Sequence, residues 1–255
     1  MLEHLETIMG ADTVDVAWRA HTQNMARYGF DRLIYGLSYE MGRGGLGPLE
    51  DMMVLSNHPA AYLQRFITEG LFRDAPMLKW AQSNLGAASW SSFQGDETTL
   101  EPRERDVIAF NRQMGVIAGY TISLGRTPPC GRAVISLTAH ARLDQDAVDD
   151  IWAENGREIE LFNRVAHLKI ANLPRTRFAR QLTPRQREVL QLIGAGKTAS
   201  EIAGLMGVSQ VTIEKHLRLA REQLGADTSA QALLRAAVQG QIFVSQGSDQ
   251  PESTT

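Results

Sequence analysis

Residues 197–217, KTASEIAGLMGVSQVTIEKHL, predict two short helices broken at Met206-Gly207-Val208. Thr198 stands three residues before Glu201 and caps the first helix, and Ser209 caps the second. Two helices joined by a tight turn that holds a glycine form a helix-turn-helix. The second helix, 209–224, turns Ile213, Leu217, Ala220 and Leu224 to one side at the helical period. Outside remain Gln210, Val211, Thr212, Glu214, Lys215, Arg218 and Arg221. Two flanking helices complete the module. Thr183-Pro184-Arg185-Gln186 opens the first with a capping box, and Thr228-Ser229-Ala230-Gln231 opens the last. Gly194/Gly196, Gly207 and Gly225 are the stops. The expected inner faces add Val189, Leu190 and Ile193; Ile202, Leu205 and Met206; and Leu233, Leu234 and Val238.

Charge follows the same division. Residues 174–240 hold ten Lys/Arg against five Asp/Glu, while the whole chain has a net charge of −3. A basic C-terminal part behind an acidic N-terminal part marks the former as the one that meets a polyanion. The start of helix 209–224, with Gln210, Val211, Thr212 and Lys215, is expected to enter a major groove. Gln and Lys reach base edges there and Val211 a thymine methyl. Arg218, Arg221, Thr198 and the arginines at 175, 177 and 180 are expected on phosphates.

Residues 172–184, NLPRTRFARQLTP, with proline near both ends, separate this module from what precedes it. The expected division is a sensing domain over 1–173, a linker over 174–181, the helix-turn-helix domain over 182–243 and a disordered tail over 244–255. In the first domain, helices are expected over 12–30, 59–72, 76–84, 101–114 and 143–173, and strands over 31–41, 51–58, 115–125 and 131–140. Pro59 is expected at the first position of its helix. Val16, Ala20, Met25 and Tyr28 would line the inner side of helix 12–30. Val148, Ile151, Trp152, Ile159, Phe162, Val165 and Leu168 form an apolar stripe on the last helix, either core or dimer surface. Strands that follow one another directly imply an antiparallel sheet with helices on its faces, so the fold class is α+β.

Chemistry is sparse. The chain carries no Ser/His/Asp or Cys/His set and no metal-ligand spacing, which argues against an enzyme. GRGGLG at 42–47 lacks dinucleotide-loop spacing and is expected to be an ordered loop. Cys130 is the lone cysteine and is expected in a loop, without a redox role. Asp144, Asp146, Asp149 and Asp150 are expected to sit solvated at a helix start, where they favour the dipole. The acidic N-terminus, MLEHLETIMGADT, is unlike a signal peptide, and no apolar run is long enough to span a membrane. The expected compartment is the cytoplasm.

From Leu182 to about Ile242 the chain resembles the LuxR-type helix-turn-helix, with Gln186 where most members have Glu. Gln still closes the capping box. The order of elements over roughly 12–173 resembles the autoinducer-binding domain of quorum-sensing LuxR regulators, an α-β-α sandwich around an N-acyl-homoserine lactone. Trp90, after Ser89, stands where that family has a pocket tryptophan, and Gly115 to Gly119 resembles its glycine-marked strand start. Counted back fifteen residues from Trp90, the family's Asp-Pro pair becomes Ala75-Pro76. The same frame places Tyr62 at the lactone-binding tryptophan and Phe66 and His58 at family tyrosines. The resemblance therefore implies a ligand site of His58, Tyr62, Phe66, Ala75 and Trp90, with Asp74 substituting for the missing carboxylate after a one-residue shift. Tyr62 keeps a hydroxyl that can donate to a ligand carbonyl, and Phe66 has no such handle. Three outcomes stay open: a lactone held through Asp74, a different apolar ligand, or a cavity closed on its own side chains. No cofactor is implied. Implied partners are a second copy of the chain, a two-fold symmetric duplex DNA site, a small effector and RNA polymerase.

Overall fold

In the computed structural model, residues 2–38, 49, 52–94, 100–127, 131–173, 182–238 and 241–242 are described. The linker 174–181 with its arginines, the GRGGLG loop, Cys130 and the tail lie outside them. The chain divides into two compact units, Met1–Leu173 and Pro174–Thr255. No helix among the described residues is long and apolar enough to cross a membrane.

The first unit begins with helices α1 (Leu2–Met9) and α2 (Val14–Ala26), followed by strands β1 (Phe30–Ser38) and β2 (Met52–Ser56). Helices α3 (Ala60–Leu63) and α4 (Pro76–Ser83) precede β3 (Gly86–Ser89) and α5 (Ser91–Gln94). Helix α6 (Pro102–Gln113), strands β4 (Gly119–Thr127) and β5 (Gly131–Ala139) and the long α7 (Gln145–Asn172) complete it. The five strands form one antiparallel sheet in the order β2-β1-β5-β4-β3.

Alternation along the strands gives this sheet two faces. Leu33, Tyr35 and Leu37 of β1, Ile122 of β4 and Ile135 and Leu137 of β5 are at most 2% exposed. They pack in one cluster with Met25 of α2 and Ile159 and Phe162 of α7. The opposite face carries a second cluster, Tyr62, Phe66, Phe72, Ala75, Trp90 and Phe110, contributed by the segments between β2 and β4.

Several elements depart from the expectations. Strand β3, GAAS, was not foreseen; it has no β-branched residue to mark it. The buried side of α2 is Ala17, His21, Asn24 and Met25, and Val16 is 49% exposed. The shift has a polar cause: His21 Nε2 and Asn163 Oδ1 of α7 bond at 3.0 Å, which fixes which side of α2 faces inward. On α7, Val148, Ile159 and Phe162 are buried, but Leu168 is 59% exposed, and Asn163 and His167 take inner positions. His167 Nδ1 bonds Tyr35 Oη at 2.9 Å. Asp144 caps α7 by accepting from Ala147 N, whereas Asp149 accepts from Ser89 Oγ and Gln145 Nε2. Burial pushes the Asp149 carboxyl up, but the hydrogen bonds it receives outweigh that and hold it below its ordinary value. It ties α7 to β3 while remaining partly exposed.

Residues 59–72 are not one helix. Pro59 is the N-cap of α3 rather than its first residue, and Gln64–Thr68 then widens into a π-turn. Gly70, at φ 84°, reverses the chain into a 3-10 turn over Leu71–Asp74. A positive φ is freely open only to glycine.

The second unit holds α8 (Pro184–Gly194), α9 (Ala199–Met206), α10 (Gln210–Leu224) and α11 (Ser229–Val238). Both halves of the Thr183/Gln186 and Thr198/Glu201 capping boxes are formed, and Ser209 Oγ accepts from Thr212 N. Gly207 and Gly225 end α9 and α10 with φ near 65° and 63°. Leu205 and Leu234 are exposed, at 65% and 48%. Alanines take the interior instead: Ala203 on α9, and Ala232 and Ala236 on α11. Short side chains let these helices approach closely, and the helical period alone did not separate Ala203 from Leu205.

Candidate functional site: an apolar cavity and an exposed helix

The second face of the sheet does not fill completely. Ile34, Gly36 and Ser38 of β1, Met52 and Val54 of β2 and Val134, Ser136 and Thr138 of β5 floor a cavity. Its roof is His58, Tyr62, Phe66, Ile67, Phe72, Ala75, Met77 and Trp90. Its free volume is about 60 Å³, more than a single water needs.

The roof is a column of rings. His58, Tyr62 and Phe66 are four residues apart, so successive turns align them. His58 stacks on Tyr62 at 4.6 Å, and Tyr62 on Phe66 at 5.0 Å and on Phe110 at 5.4 Å. Phe66 rides on the π-turn. Burial, with Arg32 nearby, drives the His58 pKa down to about 3, so its ring is neutral. Its Nε2 pairs with Thr138 Oγ1 at 3.3 Å, while Nδ1 is buried with no partner among the described residues.

Five of the six expected ligand-site residues meet here: His58, Tyr62, Phe66, Ala75 and Trp90. Asp74 does not. It ends the 3-10 turn, and the residue that turns inward is Ala75, which is fully buried and precedes Pro76. Neighbouring residues on a tight turn point in different directions, so Asp74 cannot substitute for a carboxylate at Ala75. Asp74 instead acts electrostatically on Lys79, which pairs with Glu104 at 2.9 Å.

The expected donor, Tyr62, is also engaged, and so is the indole N–H of Trp90. Tyr62 Oη donates to Asn111 Oδ1 at 2.9 Å, so its hydroxyl offers the cavity an acceptor rather than a donor. Burial raises the Tyr62 pKa further above its ordinary value, so it stays protonated. Trp90 Nε1 donates to Thr121 Oγ1 at 2.9 Å, and Trp90 N to Gly119 O. Gly119 allows this closeness: a Cβ there would collide with the Leu137 carbonyl oxygen and crowd the Trp90 ring at 3.0 Å.

Asn111, Ser38 and Arg132 line the cavity and were not anticipated. The signal was available for Arg132: in GRAVISLTAH, residues 132, 134, 136 and 138 share one strand face.

On α10, Val211, Lys215, Arg218 and Glu222 follow each other at three- and four-residue steps and are all exposed, Val211 at 74%. Gln210 is exposed and donates to Glu214 at 3.1 Å; Arg218 pairs with Glu222 at 2.6 Å. Lys215 has no partner among the described residues. Thr212 and Thr198 are tied into caps, with Ser209 Oγ at 2.9 Å and Glu201 Oε2 at 2.7 Å. Arg221 departs from the expected outer face. It is half-buried, reaches back to the Asp227 carbonyl at 3.5 Å and has a buried Nε, because its position flanks the Ala220–Leu224 side.

Residues 13–170 match the family described as the autoinducer binding domain, and residues 180–236 match bacterial regulatory proteins of the luxR family. The transcriptional activator CarR of Pectobacterium carotovorum is 24% identical over 72% of this chain and 77% of its own length. The activator LuxR of Aliivibrio fischeri is 24% identical over 75% of this chain and 76% of its own. Among solved structures, Escherichia coli SdiA superposes with a TM-score of 0.56 at 16% identity, covering 95% of this chain and 97% of SdiA. SdiA in complex with octanoyl-rac-glycerol gives 0.55 at 16% identity and 93% of each chain. At that identity the likeness concerns the fold. The chain belongs to the LuxR family of transcriptional regulators, with an autoinducer-binding domain ahead of a LuxR-type helix-turn-helix.

Proposed function

We propose that a small apolar effector, held in the cavity between the sheet and the His58–Tyr62–Phe66 column, governs DNA binding by α10. The observation that carries this reading is the cavity itself: an unfilled apolar space, roofed by five of the six residues the family pattern singles out. A molecule that fills it stabilises the folded unit. At a hundred times its dissociation constant the gain is about 2.7 kcal/mol.

The effector is an N-acyl-homoserine lactone or another small apolar signal. The second is favoured, because no Asp or Glu is among the described lining residues to accept from a lactone amide. A buried N–H left unpaired costs about 1–3 kcal/mol, a tenfold or greater loss of affinity. A ligand-independent regulator is the rival reading, favoured by the partners that Tyr62 and Trp90 already have.

On DNA, Gln210, Val211, Thr212 and Lys215 read bases while Arg218, Arg221 and Thr198 support the backbone contacts; of these Arg221 acts mainly through the loop it holds. Residues 1–173 are the sensing domain, 174–181 the linker, 182–243 the DNA-binding domain and 244–255 the tail. Two copies would present their α10 helices to half-sites one DNA turn apart. The site of action is the cytoplasm, with RNA polymerase as a further partner.

Selection of duplexes from a random pool, repeated with Lys215→Ala and Gln210→Ala, tests the assignment. Both variants should keep the wild-type melting temperature and lose about 1–3 kcal/mol of discrimination at one position each. An unaltered sequence preference in both would remove α10 as the reader.

A further inference from the structure

One end of the cavity is chemically unlike the rest. Ser38 of β1 and Arg132 of β5 are direct cross-strand partners, so they share the cavity face and both line the space. Ser38 is 4% exposed, and its buried Oγ has no hydrogen-bond partner among the described residues. Among the described residues Arg132 reaches only carbonyl oxygens, those of Ala81 and Gln82 near the end of α4, and both contacts are made through Nη1. It forms no ion pair among the described residues.

A guanidinium carries five N–H groups in a planar fork and one full positive charge. Against an apolar cavity, such a charge is favourable only when paired. No Asp or Glu among the described lining residues pairs with it. The Ser38 hydroxyl beside it adds a further donor, so this end presents donors and positive charge together. The opposite end, His58 with Thr138, lies six residues along β5, about 20 Å away at the strand rise. His58 is neutral there and offers no second cation. Between the two ends the floor and roof are mostly apolar.

We propose that the effector is a small apolar carboxylic acid, bound as its carboxylate by Arg132 and Ser38 with its body along the aromatic roof. The inference rests on the cavity being the effector site and adds the chemical class of what fills it. A carboxylate accepts two parallel N–H bonds from a guanidinium and takes the Ser38 hydroxyl as a third donor. An ester or lactone of the same body offers weaker, uncharged acceptors.

Calorimetric titration of the full chain at pH 7.5 decides the matter, with three probes below their aggregation limits: decanoate, methyl decanoate and N-octanoyl-homoserine lactone. Decanoate should bind at least tenfold more tightly than its methyl ester. Arg132→Gln should bring decanoate down to the level of the ester and leave the ester unchanged, while Arg132→Lys keeps most of the preference. Because Arg132 also holds the end of α4, Ser38→Ala is the second variant: it should weaken decanoate threefold or more and spare the ester. An ester or lactone that binds as tightly as the acid, or a preference untouched by Arg132→Gln and Ser38→Ala, overturns the carboxylate assignment and leaves the effector reading standing. Silence of all three probes overturns both.

Discussion

The same five strands build a solid layer on one side and a hollow one on the other. Residues 33, 35 and 37 of β1 are at most 1% exposed against α1, α2 and α7, while residues 34, 36 and 38 floor the cavity. A slip of one residue in register would exchange the two sets. A polar pair between β1 and α7, Tyr35 with His167, opposes such a slip, while His21 with Asn163 ties α2 to α7. The hollow side puts its polar groups where a ligand can meet them, at Ser38, Arg132 and His58. The solid layer is what keeps the cavity open, because a sheet fixed on one side cannot collapse onto the other.

Acid should break this arrangement most severely. Burial holds His21 and His167 down to about 4 and His58 to about 3, against an ordinary value of 6.5. The unfolded chain therefore takes up protons that the folded chain refuses. Stability is full above about pH 6.5 and falls as the pH drops towards 4. Each extra proton bound by the unfolded state is worth about 1.4 kcal/mol per pH unit, and three histidines give about 4 kcal/mol per unit at the steepest. All four tryptophans lie within residues 1–173, so their fluorescence reports this unit. Urea midpoints at pH 7, 6 and 5 should fall in sequence; a flat series would mean the histidines are open to water.

Next in size is a truncation on each face. Ile135→Ala, in the solid layer at 2% exposed, should cost about 2–5 kcal/mol. Val134→Ala, one residue along, enlarges a space that is already empty and should cost less than half as much. Equal losses in urea unfolding would show that the hollow side is packed as tightly as the solid one.

Legibility divides along the same lines. The four helices of the second unit were readable because each start and stop has a local chemical mark, as at Thr183/Gln186 and Gly207. Their inner faces were less so: Leu205 and Leu234 have the helical period but stay exposed, because Ala203, Ala232 and Ala236 suit a close approach better. In the first unit α7 and four of the five strands were legible from length and alternation. The turn through Gly70 was not, since a π-turn followed by a 3-10 turn has no periodic signature, and that turn decides that Ala75 rather than Asp74 faces the cavity. The polar positions His21, Asn163 and His167 were missed for a related reason. A buried polar residue is stabilised by a partner far along the chain, and Asn163 lies 142 residues from His21.

The smallest effect should come from the hydrogen bonds of one threonine of β4, made to two residues that line the cavity. Thr121 Oγ1 accepts from Trp90 Nε1 at 2.9 Å, and Thr121 itself is fully buried. Thr121 Oγ1 also bonds Ser136 Oγ at 3.0 Å, so Thr121→Val keeps the volume but takes this partner from both the indole N–H and the Ser136 hydroxyl, and about 1–2 kcal/mol should be lost without ligand. A saturating effector with an acceptor near Trp90 would recover part of that loss, because the freed N–H could then donate to it. If the effector's only acceptor lies at Arg132, at the far side of Val134 along β5, the deficit should be the same with and without ligand. Urea midpoints of the variant measured in both states thus locate the effector's polar head, and a deficit that shrinks on binding would move it from Arg132 towards Trp90.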